Sequence, residues 1–152
     1  MVVVVIGDDT VATKRHLPHL QRDGKWYFVT FTTRNHFVLS EGARDIALQI
    51  CVNDHERTYF LECVVIMPDH VHMLFAPVGD WSTSNILQRI KGVSSHRINH
   101  LLGRRGPLWQ DESFDRILRS GEDLSNKSDY ICANPERAGF VNYRWTWRRW
   151  AT

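Results

Sequence analysis

Two histidines lie two positions apart in an apolar stretch of the chain. His70 and His72 flank Val71, and the stretch 70–76 has the composition of a β-strand. Because side chains alternate along a strand, both imidazoles are expected on one face, while Val71 faces the other. Two adjacent imidazoles can bind one divalent metal ion. The alternative is a partly exposed strand face that binds nothing.

A tyrosine and an asparagine are spaced to share one face of a helix. Residues 121–133 have a helical pattern that stops at Asn134-Pro135, since the residue before a proline disfavours helical angles. Tyr130 and Asn134, four positions apart, would project together from its end. A phenol can act as a nucleophile, and an amide oxygen can bind a hard cation. The alternatives are a tyrosine that packs and an asparagine that only ends the helix.

Taken together, these four side chains define a reaction. Two imidazoles and one amide oxygen would hold a metal ion and leave positions open for phosphate oxygens. The metal would polarise a phosphodiester and the tyrosine would attack it, giving a phosphotyrosine and a free hydroxyl. Because the energy of the bond is kept, the reverse step can rejoin strands without ATP. The hypothesis requires no acid–base pair.

The elements that must position these side chains alternate between strands and helices. Hydrophobic periodicity and turn residues place them as follows. Strands are predicted at 26–33, 59–67 and 70–76, helices at 42–55, 85–102 and 121–133, and short extended segments at 108–110 and 114–118. Asp80-Trp81-Ser82-Thr83 offers capping oxygens for the second helix. This order predicts an α+β fold: a ferredoxin-like single antiparallel sheet with helices mainly on one face.

Composition limits the remaining choices. The chain has 152 residues, 43% of them hydrophobic and 24% charged, which suits one compact domain. Its net charge of +2 permits a nucleic-acid partner without requiring one. Three cysteines without a CxxC spacing argue against a disulfide framework and against a four-cysteine zinc site. Since no apolar run is long enough to span a membrane, we expect a cytoplasmic protein.

Three motifs, in order along the chain, resemble those of the REP-associated tyrosine transposases, a branch of the single-tyrosine HUH transposases. Met67-Pro68-Asp69-His70-Val71-His72 is similar to the HUH motif, in which U is a bulky apolar residue. The segment 108–119 is similar to the one that follows in this branch, and 129–141 resembles its nucleophile helix, YIxxNPxxAG. Residues 15–19 and 27–32 also resemble the branch.

The resemblance covers residues 14–147 of a single domain that we assign to 1–152, with 1–13 and 148–152 as unassigned tails. It implies a ferredoxin-like fold, Tyr130 as the nucleophile, and Mg²⁺ or Mn²⁺ as the cofactor. The metal ligands it implies are His70, His72 and Asn134. The Trp/Arg-rich end departs from the Trp-Ser-Ser-like tail of the family, so contacts of that tail are not carried over.

The resemblance also implies a substrate. Members of this branch act on single-stranded DNA next to a hairpin or palindromic repeat, and attach to the 5′ side of the break. The expected activity is therefore that of a metal-dependent endonuclease and strand transferase, either monomeric or homodimeric, with no membrane partner. The DNA sequence recognised, and whether transposition is retained, do not follow from the resemblance.

Arginines interleaved with aromatic residues suit single-stranded DNA, because bases stack on rings while guanidinium groups hold phosphates. The end of the chain, 144–150, has this pattern, although its tryptophans would equally serve to cover the core. For the cations of the long helix and the loop after it, solvated surface charge is the alternative. The candidate DNA contacts are Lys14, Arg15, Lys91, Arg97, Arg104, Arg105, Trp109, Arg116, Arg144, Arg148 and Arg149.

Three other classes of protein remain open. In a hydrolytic metal-dependent phosphodiesterase, water would attack in place of Tyr130 and no covalent adduct would form; the two-histidine phosphoesterases need a second His-x-Ser/Thr motif on a partner strand, which the sequence does not offer. A non-catalytic single-strand-binding module would expose aromatic residues on the sheet face of His70 and His72. A structural zinc domain would need a fourth ligand set.

Overall fold

The computed structural model describes residues 24–119 and 123–149. Their elements follow the predicted order, with two additions near the end of the chain. The strands are β1 Tyr27–Thr32, β2 Tyr59–Ile66, β3 His70–Pro77, β4 Phe114–Ile117 and β5 Thr146–Arg148. The helices are α1 Glu41–Asn53, α2 Thr83–Leu102, α3 Leu124–Cys132 and the single turn α4 Asn134–Arg137, with a 3-10 turn at Arg34–His36.

The strands form one antiparallel sheet in the order β4-β1-β3-β2-β5. The predicted hairpin of β2 and β3 is present, closed by a 2.8 Å hydrogen bond from the amide of Met67 to the carbonyl of His70. The first four strands have the ferredoxin-like order, which confirms the predicted α+β fold. Since β3 is the middle strand, the histidine pair is held by neighbours on both sides.

Alternation along β3 assigns the two faces of the sheet. Val71, Met73 and Phe75 are fully buried in the core that α1 and α2 cover. On the other face, Leu74 packs in a smaller core with residues of α3. The two long helices therefore lie on one face, as predicted, and the shorter α3 lies on the histidine face. Each fully buried leucine or phenylalanine of these cores contributes about 1.5–3 kcal/mol.

A β-bulge in β2 lets that strand serve both cores. The pairing with β3 shifts between Leu61 and Cys63, so that Glu62 has no partner residue. Before the bulge Leu61 faces α1 and α2, and after it Val64 does. Cys63 accordingly faces α3. The bulge thus keeps the apolar pattern of β2 matched to both layers.

Local signals set the helix ends. The hydroxyl of Ser82 accepts a 3.0 Å hydrogen bond from the amide of Asn85, so the cap of α2 lies within the segment 80–83 that was predicted to supply it. Gly103 ends α2 in a left-handed conformation, which glycine adopts without a steric penalty. The sequence did not predict α4 or β5.

In the described part of the chain, no helix is both long and apolar enough to cross a membrane.

Candidate active site

The two predicted metal-binding histidines lie side by side on β3. His70 and His72 are partly buried, and their ring centroids are 4.8 Å apart. Both point to the α3 face of the sheet, while Val71 between them is buried on the opposite face. The strand therefore presents two imidazoles to one side, as the spacing predicted.

Each imidazole is oriented by a hydrogen bond at Nδ1. The hydroxyl of Thr30 lies 2.8 Å from Nδ1 of His72, and Oδ1 of Asp69 lies 2.7 Å from Nδ1 of His70. Thr30 is the register partner of His72 on β1, so the sheet itself fixes this contact. When Nδ1 carries the proton and donates it, Nε2 keeps the lone pair that a metal needs. The pair is thus oriented as metal-binding histidines usually are.

The charges around the histidines favour a neutral His72 and an ionised Asp69. Burial lowers the pKa of His72 to about 4, helped by the positive charges of His70, Arg137 and Lys127. Partial burial works to raise the pKa of Asp69, but hydrogen bonds from His70 and His36 outweigh it and lower the pKa. A neutral imidazole is the form that binds cations, so His72 is available as a ligand at neutral pH.

Tyr130 projects from α3 into solvent, with 57% of its surface exposed. Two cations flank its ring: Nζ of Lys127 is 5.0 Å from the ring centroid, and Cζ of Arg137 is 4.3 Å from it. Arg137 also donates a 3.1 Å hydrogen bond to the carbonyl of Tyr130. An exposed phenol between two cations is suited to meet a phosphate group, and a core tyrosine would be buried instead.

Asn134 begins α4, one turn after Tyr130. Its amide group is fixed at both ends, because Nδ2 donates to the carbonyl of Ile131 at 3.0 Å and Oδ1 accepts from Nη2 of Arg137 at 2.9 Å. An amide oxygen has two lone pairs, so one remains for a cation. The helical spacing of Tyr130 and Asn134 is preserved, even though α3 ends at Cys132.

Aromatic and cationic contacts link the two halves of the site. The ring of Phe28, on β1, stacks on His72 with centroids 5.8 Å apart. Nζ of Lys127 lies 4.6 Å from the same Phe28 ring and 5.0 Å from the Tyr130 ring. The fold therefore brings Tyr130 to the sheet face that carries the histidines. A cleft of about 370 Å³ beside the tyrosine is lined by Asp123, Asn126, Lys127 and Tyr130.

Within residues 24–119 and 123–149, no three side chains of His, Cys, Asp or Glu are grouped so as to hold a metal ion. The histidine pair and the amide oxygen of Asn134 stay the predicted donors. Imidazole nitrogen and amide oxygen are both donors that Mn²⁺ accepts. Their fixed orientation and the neutral state of His72 fit such a cation.

Two of the candidate DNA contacts have most of their side chains covered by the protein. Trp109 is 4% exposed, and its indole N–H donates a 2.9 Å hydrogen bond to the hydroxyl of Ser94 in the core. Its ring is therefore not available to stack on a base. Arg149 lies 2.9 Å from Glu62, with 16% of its side chain exposed, and it balances a carboxylate that is almost fully buried. Both residues hold the fold together and are removed from the DNA-facing set.

Other cations of that set have partners within the protein. Nζ of Lys91 donates to the carbonyls of Gln110 and Asp111, at 2.9 and 3.2 Å. Arg148 pairs with Asp129 and so joins β5 to α3. Lys91 and Arg148 therefore have structural roles that the sequence pattern did not indicate.

The rest of the set lies nearer the surface. Arg144 forms an ion pair with Asp45, and Arg104 hydrogen-bonds to Asn99. Arg97 and Arg105 are exposed, and Arg116 is partly exposed on the histidine face of β4. Lys14 and Arg15 lie outside the described residues. Trp145, in the Trp/Arg-rich end, is buried in the core, and Trp147 packs against it.

Four residues of the site were not singled out from the sequence: Thr30, Asp69, Lys127 and Arg137. Asp69 and Arg137 belong to the motifs already noted, and their positions, one and three residues from a predicted ligand, could have indicated a supporting role. Lys127 is three positions before Tyr130, a spacing that places both on one helix face. No signal in the sequence indicates Thr30, because its contact with His72 depends on the pairing of β1 with β3.

Comparison with known proteins identifies the family of the chain. Residues 22–133 match the family model described as "Transposase IS200 like". The chain therefore belongs to the IS200-like transposase family, whose members are DNA-processing enzymes.

A REP-associated tyrosine transposase of Escherichia coli (strain K12) is 25% identical over 128 residues, which cover 83% of this chain and 74% of that protein. The solved structure of a REP-associated tyrosine transposase bound to a REP hairpin has the same fold, with a TM-score of 0.57 and 24% sequence identity. That match covers 77% of this chain and 70% of the other.

Proposed function

We propose that this protein cleaves and rejoins single-stranded DNA near hairpins, through a covalent 5′-phosphotyrosine at Tyr130. One observation carries the proposal: an exposed tyrosine, flanked by Lys127 and Arg137, stands on the helix that covers the histidine face of the sheet. Membership of a transposase family supplies the reaction class. The hairpin bound by the solved relative supports a hairpin-bearing substrate.

The chemistry assigned to the chain begins with the tyrosine. The phenol oxygen attacks the phosphorus of a phosphodiester, and the bond from phosphorus to the 3′ oxygen breaks. The phenol proton goes, directly or through solvent, to the departing oxygen, which leaves as a 3′-hydroxyl. Lys127 and Arg137 hold phosphate oxygens beside the ring. In the reverse step a 3′-hydroxyl attacks the phosphotyrosine, so strands are rejoined without ATP.

The proposed cofactor is Mg²⁺ or Mn²⁺, held by His70, His72 and Asn134. A bound divalent cation would offset the negative charge that develops on the phosphate. The chain's own contribution is to orient its donors: Thr30 and Asp69 fix the imidazoles, and Arg137 fixes the amide oxygen of Asn134. These three hydrogen bonds support the proposal, because each fixes the orientation of one proposed donor.

The test uses a single-stranded hairpin oligonucleotide from the repeats that flank the gene, with different dyes at its two ends. In Mn²⁺, we expect the wild-type protein to carry the 3′-end dye on a denaturing gel and to release the 5′-end dye. Tyr130→Phe should carry neither dye. Tyr27→Phe is the matched control, because Tyr27 lies on the opposite face of the sheet. Chelation should abolish the adduct, and added Mn²⁺ should restore it.

Other results would favour the competing classes. Cleavage without an adduct, unchanged by Tyr130→Phe, would identify a hydrolytic phosphodiesterase. Binding that survives both chelation and loss of the phenol, with no cleavage of several hairpins, would identify a non-catalytic binding module. A 5′-end dye on the protein would contradict the proposed 5′ linkage.

A further inference from the structure

An exposed phenylalanine lies on the histidine face of the sheet, next to the candidate site. Phe114 begins β4, the edge strand, and pairs with Thr30 of β1. It is 58% exposed. Because Thr30 contacts His72, Phe114 lies on the same side of the sheet as the imidazoles. An aromatic ring open to solvent beside a polar site is available to stack on a ligand.

The ring of Phe114 is supported from one side and open on the other. Its contact with Phe28 is edge-to-face, with centroids 6.2 Å apart and planes at 71°. Phe28 itself is occupied, since it stacks on His72 and has Lys127 over its face. Phe114 is therefore the outermost of a row of rings that leads from the metal-binding histidine to the edge of the sheet.

Charge around this row matches a phosphate backbone. Lys127 lies over Phe28, and Arg116 is on the same face of β4 as Phe114, paired with Phe28. Open aromatic rings with cations beside them are the means by which proteins bind single strands, with bases on the rings and phosphates on the cations. A double helix would hide its bases from such a ring.

We propose that Phe114 is a stacking platform for a nucleobase next to the scissile phosphate, so that the single strand runs from the histidines toward β4. This inference rests on the proposed function, since it takes single-stranded DNA as the ligand. Phe28 orients the platform, and Arg116 faces the backbone of the same nucleotide. The platform reads the flat face of a base and hence tolerates any sequence.

The experiment measures binding of oligonucleotides in which one base at a time is removed. The protein is the full chain with Tyr130→Phe, which cannot react. At one position beside the cleavage site, loss of the base should weaken binding about 10-fold. When Phe114→Ala is added, removing that base should have no further effect, because its partner is already gone. Phe114→Trp should restore the 10-fold effect.

A matched control lies on the same strand. Ile117 is 41% exposed and faces the opposite side of the sheet, so Ile117→Ala should leave every effect unchanged. If every abasic position weakens binding equally, whether or not the protein carries Phe114→Ala, the platform is refuted. The same holds if Phe114→Ala changes only the sedimentation of the protein, which would mean that the ring is covered by a second copy.

The outcome is separable from that of the proposed function. An adduct at Tyr130 without coupling between Phe114 and a base would remove the platform alone. Coupling without an adduct in the reactive protein would keep the platform and refute the covalent mechanism.

Discussion

Arg137 holds the amide oxygen of Asn134 and the ring of Tyr130 at the same time. Its Nη2 lies 2.9 Å from Oδ1 of Asn134, and its guanidinium carbon lies 4.3 Å from the centroid of the phenol. One side chain therefore sets the position of the proposed nucleophile relative to a proposed metal ligand. This coupling arises because α4 begins two residues after α3 ends. The short connection places Arg137 beside the ring of Tyr130.

Replacing Arg137 with glutamine should slow adduct formation about 10-fold, since a misplaced group near the reacting atoms costs rate. Stability should change by less than about 0.5 kcal/mol, because Arg137 is exposed. Single-turnover formation of the labelled adduct measures the rate. Arg57→Gln, another exposed arginine, provides the control. An unchanged rate in Arg137→Gln would show that the guanidinium does not position the tyrosine.

Thr30→Val should weaken Mn²⁺ binding about 10-fold, because His72 loses the partner that fixes its tautomer and ring orientation. The substitution keeps the shape of the side chain. Isothermal titration with Mn²⁺ measures the affinity without any DNA. Thr32→Val is the control: Thr32 lies on the same face of β1, and in the described part of the chain its hydroxyl bonds to neither imidazole. Equal affinities for both variants would contradict the proposed role of Thr30.

Arg149→Met should destabilise the fold by about 3 kcal/mol, because it leaves the buried carboxylate of Glu62 without its partner. Burial raises the pKa of Glu62 even with Arg149 present. Without the positive charge of Arg149, the ionised form of this carboxylate would be destabilised further. Urea unfolding measures the change. Adding Glu62→Gln should recover much of the loss. Arg105→Met, on an exposed loop residue, should have little effect, and an equally small effect of Arg149→Met would return Arg149 to the surface set.

Stability should fall as the pH is lowered from 7.5 to 5, in part because of His55. Burial is the main cause that lowers the pKa of His55, and its Nδ1 accepts a 2.9 Å hydrogen bond from the amide of Leu61. As the pH falls, the imidazole of His55 is therefore protonated at a higher pH in the unfolded chain than in the folded protein. The contribution is complete above the unfolded pKa of about 6.5 and is lost as the pH falls toward the folded value.

Urea midpoints at several pH values, with a chelator present, measure the effect. His55→Gln should show a shallower fall than the wild type. His100→Gln replaces an exposed histidine of α2 and should follow the wild type. Parallel curves for His55→Gln and the wild type would mean that His55 does not contribute.

The sequence was sufficient for elements whose patterns are long. Alternation in 70–76 and helical spacing in 85–102 correspond to β3 and α2 within one or two residues. The three residues of β5 are too few to show alternation, and α4 was hidden because Pro135 was interpreted only as a helix stop, whereas it occupies the first turn of a new helix. Short elements of this kind depend on what they pack against.

The surface roles of individual residues were harder to predict. Trp109 and Arg149 looked like DNA contacts because tryptophan and arginine are common there, but one packs in the core and the other pairs with a buried carboxylate. For Phe114, no local sequence pattern distinguishes an exposed ring on an edge strand from a buried one. The burial and the contacts of such residues depend on how segments far apart in the chain pack together.

Glu62 is a supernumerary residue: β2 uses one more position than β3 over the same length of sheet. Its carbonyl accepts the amide of Arg149, and its carboxylate pairs with the same residue, so the extra position holds the residue that directly follows β5. The register partners of β5 are Cys63, Val64 and Val65, all on the far side of the bulge. Shortening β2 by Glu62 would therefore leave the register partners of β3 and β5 in place and remove only the contacts of Arg149.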